Sequence, residues 1–154
     1  VALAALVAVY ISNQWSRNLL TYVVSFGADT SSAAAGKEFI NVALGFDQAQ
    51  YALLASFGFT LMYALCSLAA GRAVDVLSKR LTVALSCLIW SSVTIGQGLS
   101  TSFEQVFGLR VVQGIAQAFT TPAAYTLLGE YFPASSRGTA NSIYSSGVYL
   151  GGAL

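Results

Sequence analysis

Long apolar stretches recur along this chain, and each is about as long as a helix that crosses a bilayer. Such a helix needs about 20 mostly apolar residues to span about 30 Å of hydrocarbon. The stretches cover residues 2–26, 51–70, 81–99 and 103–131, and a fifth begins near residue 140 and continues to 154. This pattern predicts an all-α, polytopic membrane protein with four spans and the start of a fifth.

The low charge content of the chain supports a membrane environment. Only 8% of the residues are charged and 56% are hydrophobic, whereas a soluble globular domain carries about 25% charged residues. So few charges could not cover a water-exposed surface, and we therefore expect membrane lipids as the surroundings. The net charge of +1 offers no basic surface for nucleic acid, which is not expected as a partner.

The composition also excludes most enzyme chemistry. The chain has no histidine, and its two cysteines, Cys66 and Cys87, lie far apart in apolar stretches. Neither a zinc site nor a histidine-based catalytic triad can be assembled from these residues. We therefore expect no enzymatic activity, no metal and no other cofactor.

The loops between the spans differ in their content of lysine and arginine, which predicts the orientation of the chain. The loops that follow spans two and four contain Arg72, Lys79, Arg80 and Arg137. The segment after span one contains a single lysine, Lys37, and three acidic residues. We therefore expect the 2–3 and 4–5 loops to be cytoplasmic, in a membrane that the sequence does not identify.

The ends of the chain and its first outer segment add two expectations. The sequence begins within an apolar stretch and stops before the fifth span is long enough to cross a bilayer. We therefore expect a fragment whose C-terminal half is missing. The outer segment after span one is long, and residues 39–46 are expected to form a short interfacial helix.

Two arginines, Arg17 and Arg110, lie inside predicted spans. An arginine at the bilayer centre costs about 2.5–3.5 kcal/mol on insertion scales, so such residues usually face a cavity or a partner. Helical spacing places Asn13 on the face of Arg17, and it places Gln113 and Gln117 on the face of Arg110. Because no carboxylate lies in the interior of these spans, we expect the arginines to bind an anionic substrate.

A milder polar stripe on span two contributes one further candidate. The expected substrate-binding residues are therefore Asn13, Arg17, Tyr63, Arg110, Gln113 and Gln117. Two other interpretations stay open. The arginines could snorkel to an interface, or the polar faces could serve only helix–helix hydrogen bonds, which average about 0.6 kcal/mol.

Residues 71–80, which close span two, resemble the cytoplasmic signature of the major facilitator superfamily, Gly-x-x-x-Asp-Arg/Lys-x-Gly-Arg/Lys-Arg/Lys. The matching residues are Gly71, Asp75, Lys79 and Arg80. Val76 and Ser78 depart from the pattern. The resemblance implies a gate in which the matching residues act together with Glu130 and Arg137 on the cytoplasmic side.

Two later segments are also similar to signatures of this superfamily. The fourth-span signature is matched by Arg110, Gln113, Gly114 and Ala118, and the segment after it by Glu130, Pro133, Arg137 and Gly138. Gly138, Gly147 and Gly151 keep the spacing of the fifth-span antiporter motif, but Gly152 replaces its proline. Pairs of small residues four positions apart, Ser67 with Gly71 and Gly147 with Gly151, also favour close helix packing. The resemblance implies the first five spans of a twelve-span fold, within its N-terminal six-helix half.

Within the superfamily, residues 13–17 resemble the Asn-x-x-Asp-Arg pattern of spinster-like lipid transporters and of some organic-anion transporters. Ser16 stands where that pattern has an acid that takes a proton. The resemblance implies a secondary transporter that moves a small anionic or amphipathic solute, lipids included, by alternating access. The open alternative is a non-transporting tetraspan structural or adaptor protein, which would need neither the intramembrane arginines nor the 71–80 loop.

Overall fold

The computed structural model describes residues 1–27 and 39–153, and this part of the chain is helical, without strands. The helices are α1 (Ala2–Tyr22), α2 (Ile40–Leu44), α3 (Gln48–Val76), α4 (Lys79–Gly98), α5 (Phe103–Ala118), α6 (Thr120–Tyr131) and α7 (Arg137–Ala153). Within the described ranges, α3 and α4 are each long and apolar enough to cross a membrane. The expected all-α fold is confirmed.

Short polar sequences define where the helices begin. Asp47 caps α3, since its Oδ1 accepts from Gln50 N at 2.8 Å while Gln50 Oε1 accepts from Asp47 N at 3.0 Å. This reciprocal pair satisfies two amides that a helix start leaves free. Ser102 caps α5 in a simpler way, by accepting from Gln105 N at 3.4 Å.

The short helix expected over residues 39–46 is present as α2 and is tied to the end of α1. Asn41 is buried, and its amide accepts from Ser25 N at 3.1 Å and donates to Ser25 O at 2.8 Å. Gly45 ends α2 in the left-handed conformation with φ +68°, which glycine adopts without steric cost. The lysine expected in this outer segment, Lys37, lies outside the described residues.

The predicted fourth span contains an interruption at Phe119, between α5 and α6. Pro122 lacks an N–H and cannot donate to the carbonyl of Ala118, and its ring crowds that carbonyl. The following amide, Ala123 N, bonds to Phe119 O at 3.3 Å. The interruption therefore follows from a single proline in the first turn of α6.

A π-helical stretch, Leu54–Leu61, lies within α3. Its bonds run five residues back instead of four, and Thr60 Oγ1 donates to Ala55 O across the same interval at 3.0 Å. Gly58 lies at the contact with α5, where an added Cβ would be 3.5 Å from Arg110 Cβ. Such stretches are frequent at functional sites.

The helices pack so that α1 lies against α7 and α5 lies between α3 and α4. Glycines of α7 allow the first contact: a Cβ on Gly147 would lie 3.2 Å from Tyr10 Cδ1, and one on Gly151 would lie 2.5 Å from Ile11 O. The close packing expected at these two glycines is confirmed. At Gly71 an added Cβ would meet no described atom within 4 Å, so the close packing expected there does not occur between the described helices.

Two apolar clusters hold the helices together at opposite ends. One cluster includes Leu6, Val74, Val83, Leu127, Leu128 and Tyr144. The other consists of Leu20, Phe46, Leu54 and Val106. Large aliphatic side chains on the outer faces of α3 and α4 are exposed, including Leu65, Leu68, Leu81, Leu88 and Ile95. These faces are suited to contact with lipid.

Candidate functional site

A cavity of about 320 Å³ opens between α1, α3 and α5. Both intramembrane arginines line it, Arg17 from α1 and Arg110 from α5. The other lining residues are Leu20, Thr21, Tyr51, Ala55, Phe59, Thr60 and Tyr63. Three of these, Ala55, Phe59 and Thr60, belong to the π-helical stretch of α3.

The guanidinium group of Arg17 is held by neutral groups of two other helices. Its Nε and Nη2 both lie 3.4 Å from Gln117 Oε1 on α5. Its central carbon lies 4.6 Å from the ring centre of Tyr63 and 4.8 Å from that of Phe59. Cation–π contacts of this length are attractive, and they orient the guanidinium without cancelling its charge.

Arg110 is almost completely enclosed, with 3% of its surface exposed. Its Nη1 donates to Gln113 Oε1 at 3.1 Å and to the carbonyl oxygen of Arg17 at 3.4 Å. Its Nε is buried and has no hydrogen-bond partner within residues 1–27 and 39–153. A buried cation with only neutral partners favours the approach of an anion.

A layer of neutral polar side chains lies behind the arginines. Gln113 Oε1 also accepts from Gln97 Nε2 at 2.9 Å, and Gln113 Nε2 donates to Ser16 O at 3.3 Å. Gln117 Nε2 donates to Ser16 Oγ at 3.1 Å, and that hydroxyl donates to Asn13 O at 2.9 Å. The layer joins α1, α4 and α5, so it fixes the positions of the helices that carry the arginines.

The six predicted substrate-binding residues come together in one region, in two layers. Arg17, Tyr63 and Arg110 line the cavity. Asn13, Gln113 and Gln117 are at most 1% exposed and lie in the layer behind it. Asn13 Oδ1 is buried and has no partner in the described part of the chain. Each arginine contacts another helix, Arg17 through the side chain of Gln117 and Arg110 through the backbone carbonyl of Arg17, an arrangement that differs from snorkelling to an interface.

Two residues of the site, Phe59 and Gln97, were not singled out from the sequence. Phe59 lies four positions before Tyr63, and such spacing places two side chains on one helix face. Gln97 is a single amide in an apolar span, and a buried amide requires a hydrogen-bond partner. Both signals are present in the sequence but are shared by many residues that have only a packing role.

The residues predicted to form a gate lie at the end of the molecule opposite α2, and some contact each other. Lys79 Nζ lies 3.1 Å from Glu130 Oε1, an ion pair that joins α4 to α6. The Arg80 guanidinium lies 5.4 Å from the centre of the Tyr131 ring. These contacts bind α4 to the end of α6.

The remaining gate residues make fewer contacts. Arg137 Nε donates to Phe132 O at 2.9 Å, which closes the turn between α6 and α7. Asp75 and Gly71 are exposed at the end of α3. Among the described residues, Asp75 forms no side-chain hydrogen bond or ion pair, so its carboxylate is accessible to a further partner.

The chain is similar to known membrane transporters in both sequence and structure. The family profile of the Major Facilitator Superfamily matches residues 19–154. A crystal structure of a bacterial homologue of the human lysosomal transporter Spinster, inward-facing and unoccupied, superposes with a TM-score of 0.85 at 31% identity. The superposition covers 98% of this chain and 29% of that chain.

The names of several curated relatives state a sugar acid as the solute. The D-galactonate transporter of Escherichia coli is 28% identical over 132 residues, which are 86% of this chain and 30% of the relative. The galacturonate transporter of Dickeya chrysanthemi is 29% identical over 92 residues, which are 60% of this chain and 27% of the relative. The chain therefore spans less than a third of the length of each.

Proposed function

The chain belongs to the major facilitator superfamily, and on this premise we propose that it forms the N-terminal part of a secondary transporter for a small organic anion. The observation that carries the proposal is the cavity with two arginines, Arg17 and Arg110, that contact only neutral groups within residues 1–27 and 39–153. A planar guanidinium can make paired hydrogen bonds to a carboxylate. Superfamily transporters bind substrate between two halves that rock against each other.

The chain is a multi-pass integral membrane protein, as members of this superfamily are. We infer the orientation from the basic residues at one end of the described helices, Arg72, Lys79, Arg80 and Arg137. In this orientation the Lys79–Glu130 pair is cytoplasmic and α2 lies on the opposite side. The other wall of the cavity would come from a C-terminal half, because the relatives are more than three times as long as the matched region.

Sugar-acid anions are the substrate class that we favour. The relatives named above are transporters of D-galactonate and galacturonate, and each of these anions has one carboxylate and several hydroxyls. The carboxylate suits the two arginines, and hydroxyls suit Thr21, Tyr51 and Thr60 on the cavity wall. The second candidate is an amphipathic lipid anion, supported by the similarity to the Spinster homologue.

The proposal is tested by measuring binding to the purified full-length transporter with Arg17→Lys and Arg17→Gln. Lysine keeps the charge and loses the forked geometry, whereas glutamine loses both. A hydrogen bond to a charged group contributes about 1.5–3 kcal/mol, so we expect Arg17→Gln to weaken D-galactonate binding about 10-fold to 100-fold. Arg17→Lys should give an intermediate loss, measured by calorimetry.

The matched control is Arg72→Gln, which removes the same charge from an exposed position outside the cavity. It should bind D-galactonate as the wild type does, and the neutral sugar D-galactose should bind weakly to all variants. A lysophosphatidate probe that binds while D-galactonate does not would favour the lipid candidate. Equal D-galactonate affinity in the wild type and in folded Arg17→Gln would refute the anion site.

A further inference from the structure

Among the described residues, neither cavity arginine contacts a group that compensates its positive charge. Over residues 1–27 and 39–153, the guanidinium contacts are the amide oxygens of Gln113 and Gln117, one backbone carbonyl and two aromatic rings. Glu104, in the first turn of α5, lies six residues before Arg110, which corresponds to about 9 Å along a helix axis. The partners of the arginines are dipoles, which orient a cation without neutralising it.

The charge of this part of the cavity is also fixed. Arginine stays protonated in proteins, and the groups that hold the two side chains are two side-chain amides, a backbone carbonyl and the rings of Phe59 and Tyr63, none of which is a carboxylate or an imidazole. Gln117 illustrates the arrangement, since its oxygen faces Arg17 while its nitrogen donates to Ser16 Oγ. Protonation of these residues therefore cannot switch the cavity between a charged and a neutral form.

Because of these charges, the empty and the occupied transporter should interconvert between the outward-open and inward-open states at different rates. Alternating access requires a state in which the cavity is closed to both solutions. Closing an empty cavity removes water from two unpaired cations, which is strongly unfavourable, whereas a bound anion compensates them. The occupied transporter should therefore interconvert between the outward-open and inward-open states much faster than the empty transporter.

We propose that the transporter is an anion exchanger. After the cavity with the two arginines has released one anion, it reopens to the first side of the membrane only when it holds a second anion. The inference rests on the function proposed above. One organic anion enters and one leaves, so the exchange of anions of equal charge moves no net charge. The described wall of the cavity contains no carboxylate and no histidine that would carry a proton in this step.

The test uses the full-length protein in liposomes and labelled D-galactonate outside. One set of liposomes is preloaded with unlabelled D-galactonate and the other with D-galactose at the same osmolality. We expect initial uptake to be at least 10-fold faster into the galactonate-loaded set, and an acidic outer solution should not replace internal galactonate. Equal rates in the two sets, or rapid uptake into galactose-loaded liposomes driven by the acidic solution, would overturn the exchange mechanism.

Two variants connect the outcome to the arginines. Gln117→Glu places a carboxylate beside Arg17 and compensates one charge in the empty cavity, so the ratio of the two uptake rates should fall toward one. Arg72→Gln, outside the cavity, should keep the wild-type ratio. An unchanged ratio in Gln117→Glu would overturn the role given to the charges, whereas absence of both binding and uptake in folded wild type would refute the proposed function itself.

Discussion

The side-chain amide of Gln113 joins three helices. Its oxygen accepts hydrogen bonds from Gln97 on α4 and from Arg110 on α5, and its nitrogen donates to the carbonyl of Ser16 on α1. Both lone pairs of the oxygen are used. The residue therefore positions Arg110 and leaves the cavity side of the guanidinium to a ligand.

Replacement of Gln113 by leucine tests this role. The leucine side chain has a volume similar to that of glutamine, but it leaves the buried donors of Gln97 and Arg110 without the acceptor that Gln113 provides. Each such loss costs about 1–3 kcal/mol, so we expect a reduction in the free energy of unfolding of at least about 2 kcal/mol. Denaturation in detergent measures it, with the exposed Gln48→Leu as the control. Equal stability of the two variants would contradict the role.

The periodicity of the sequence predicted which polar residues share a helix face but not what each one contacts. Arg17 and Arg110 do line one cavity. Gln113 and Gln117 were expected beside the substrate, but their hydrogen bonds go to the protein. The direction of a long amide depends on how far apart the helices lie and on their rotation, which a single helix does not specify.

At the scale of helices, the contact between α3 and α5 depends on Gly114. A Cβ at this position would lie 2.7 Å from Phe59 O and 3.3 Å from Tyr63 N. Phe59 and Tyr63 carry the stacked rings, 5.8 Å apart, that contact Arg17. The close approach of the two helices therefore also places the aromatic wall of the cavity.

We expect Gly114→Ala to separate α3 from α5 and to lower both thermal stability and D-galactonate affinity. The backbone of α3 would have to move, because a carbonyl oxygen at 2.7 Å cannot accommodate a methyl group. Gly108→Ala on the same helix is the control, since its Cβ would meet no described atom within 4 Å. Alanine favours helices by about 1 kcal/mol over glycine, so the control should be neutral or stabilising. Identical melting temperatures and affinities would refute this packing role.

The existence and order of the helices were predictable from the apolar stretches, whereas their internal irregularities were not. The interruption at Phe119 has a local cause in Pro122, and a search for proline within the span would have found it. The π-helical stretch has no comparable signal. Gly58 within it lies against α5, a tertiary contact that the sequence of α3 alone does not specify.

At the scale of the whole molecule, Asp75 is the gate residue that we expect to contact the C-terminal half of the transporter, because its carboxylate is exposed and has no partner among the described residues. We expect Asp75→Asn in the full-length protein to lower the population of the outward-open state, whose cytoplasmic side that contact would close. Coupling of this kind is typically about 1–3 kcal/mol. Glu104→Gln, which removes the same charge at the opposite end, should leave the populations unchanged. Distance measurements between spin labels would detect the shift, and unchanged populations in Asp75→Asn would leave the loop only a packing role.

The proposed orientation leads to a labelling experiment on intact cells. Single cysteines at Ser78 and Ser135 should be protected from an impermeant maleimide, and a cysteine at Ala49 should react, because basic residues favour the cytoplasmic side. All three positions are exposed, and the background would carry Cys66→Ala and Cys87→Ala. Labelling of Ser78 and Ala49 positions from the same side would contradict the predicted orientation.

The π-helical stretch of α3 corrects the rotational phase of the span. Tyr51 and Tyr63 both line the cavity, although residues twelve positions apart in a regular α-helix would point about 120° apart. When one residue of Leu54–Leu61 is accommodated by the wider π-helical turn, the two tyrosines are separated by the equivalent of eleven α-helical residues. The angle between their directions then falls to about 20°. Deletion of one residue inside this stretch should therefore let it become a regular helix with both tyrosines still facing the cavity. The same deletion in the regular helix α4 would turn its lipid-facing leucines toward the interior.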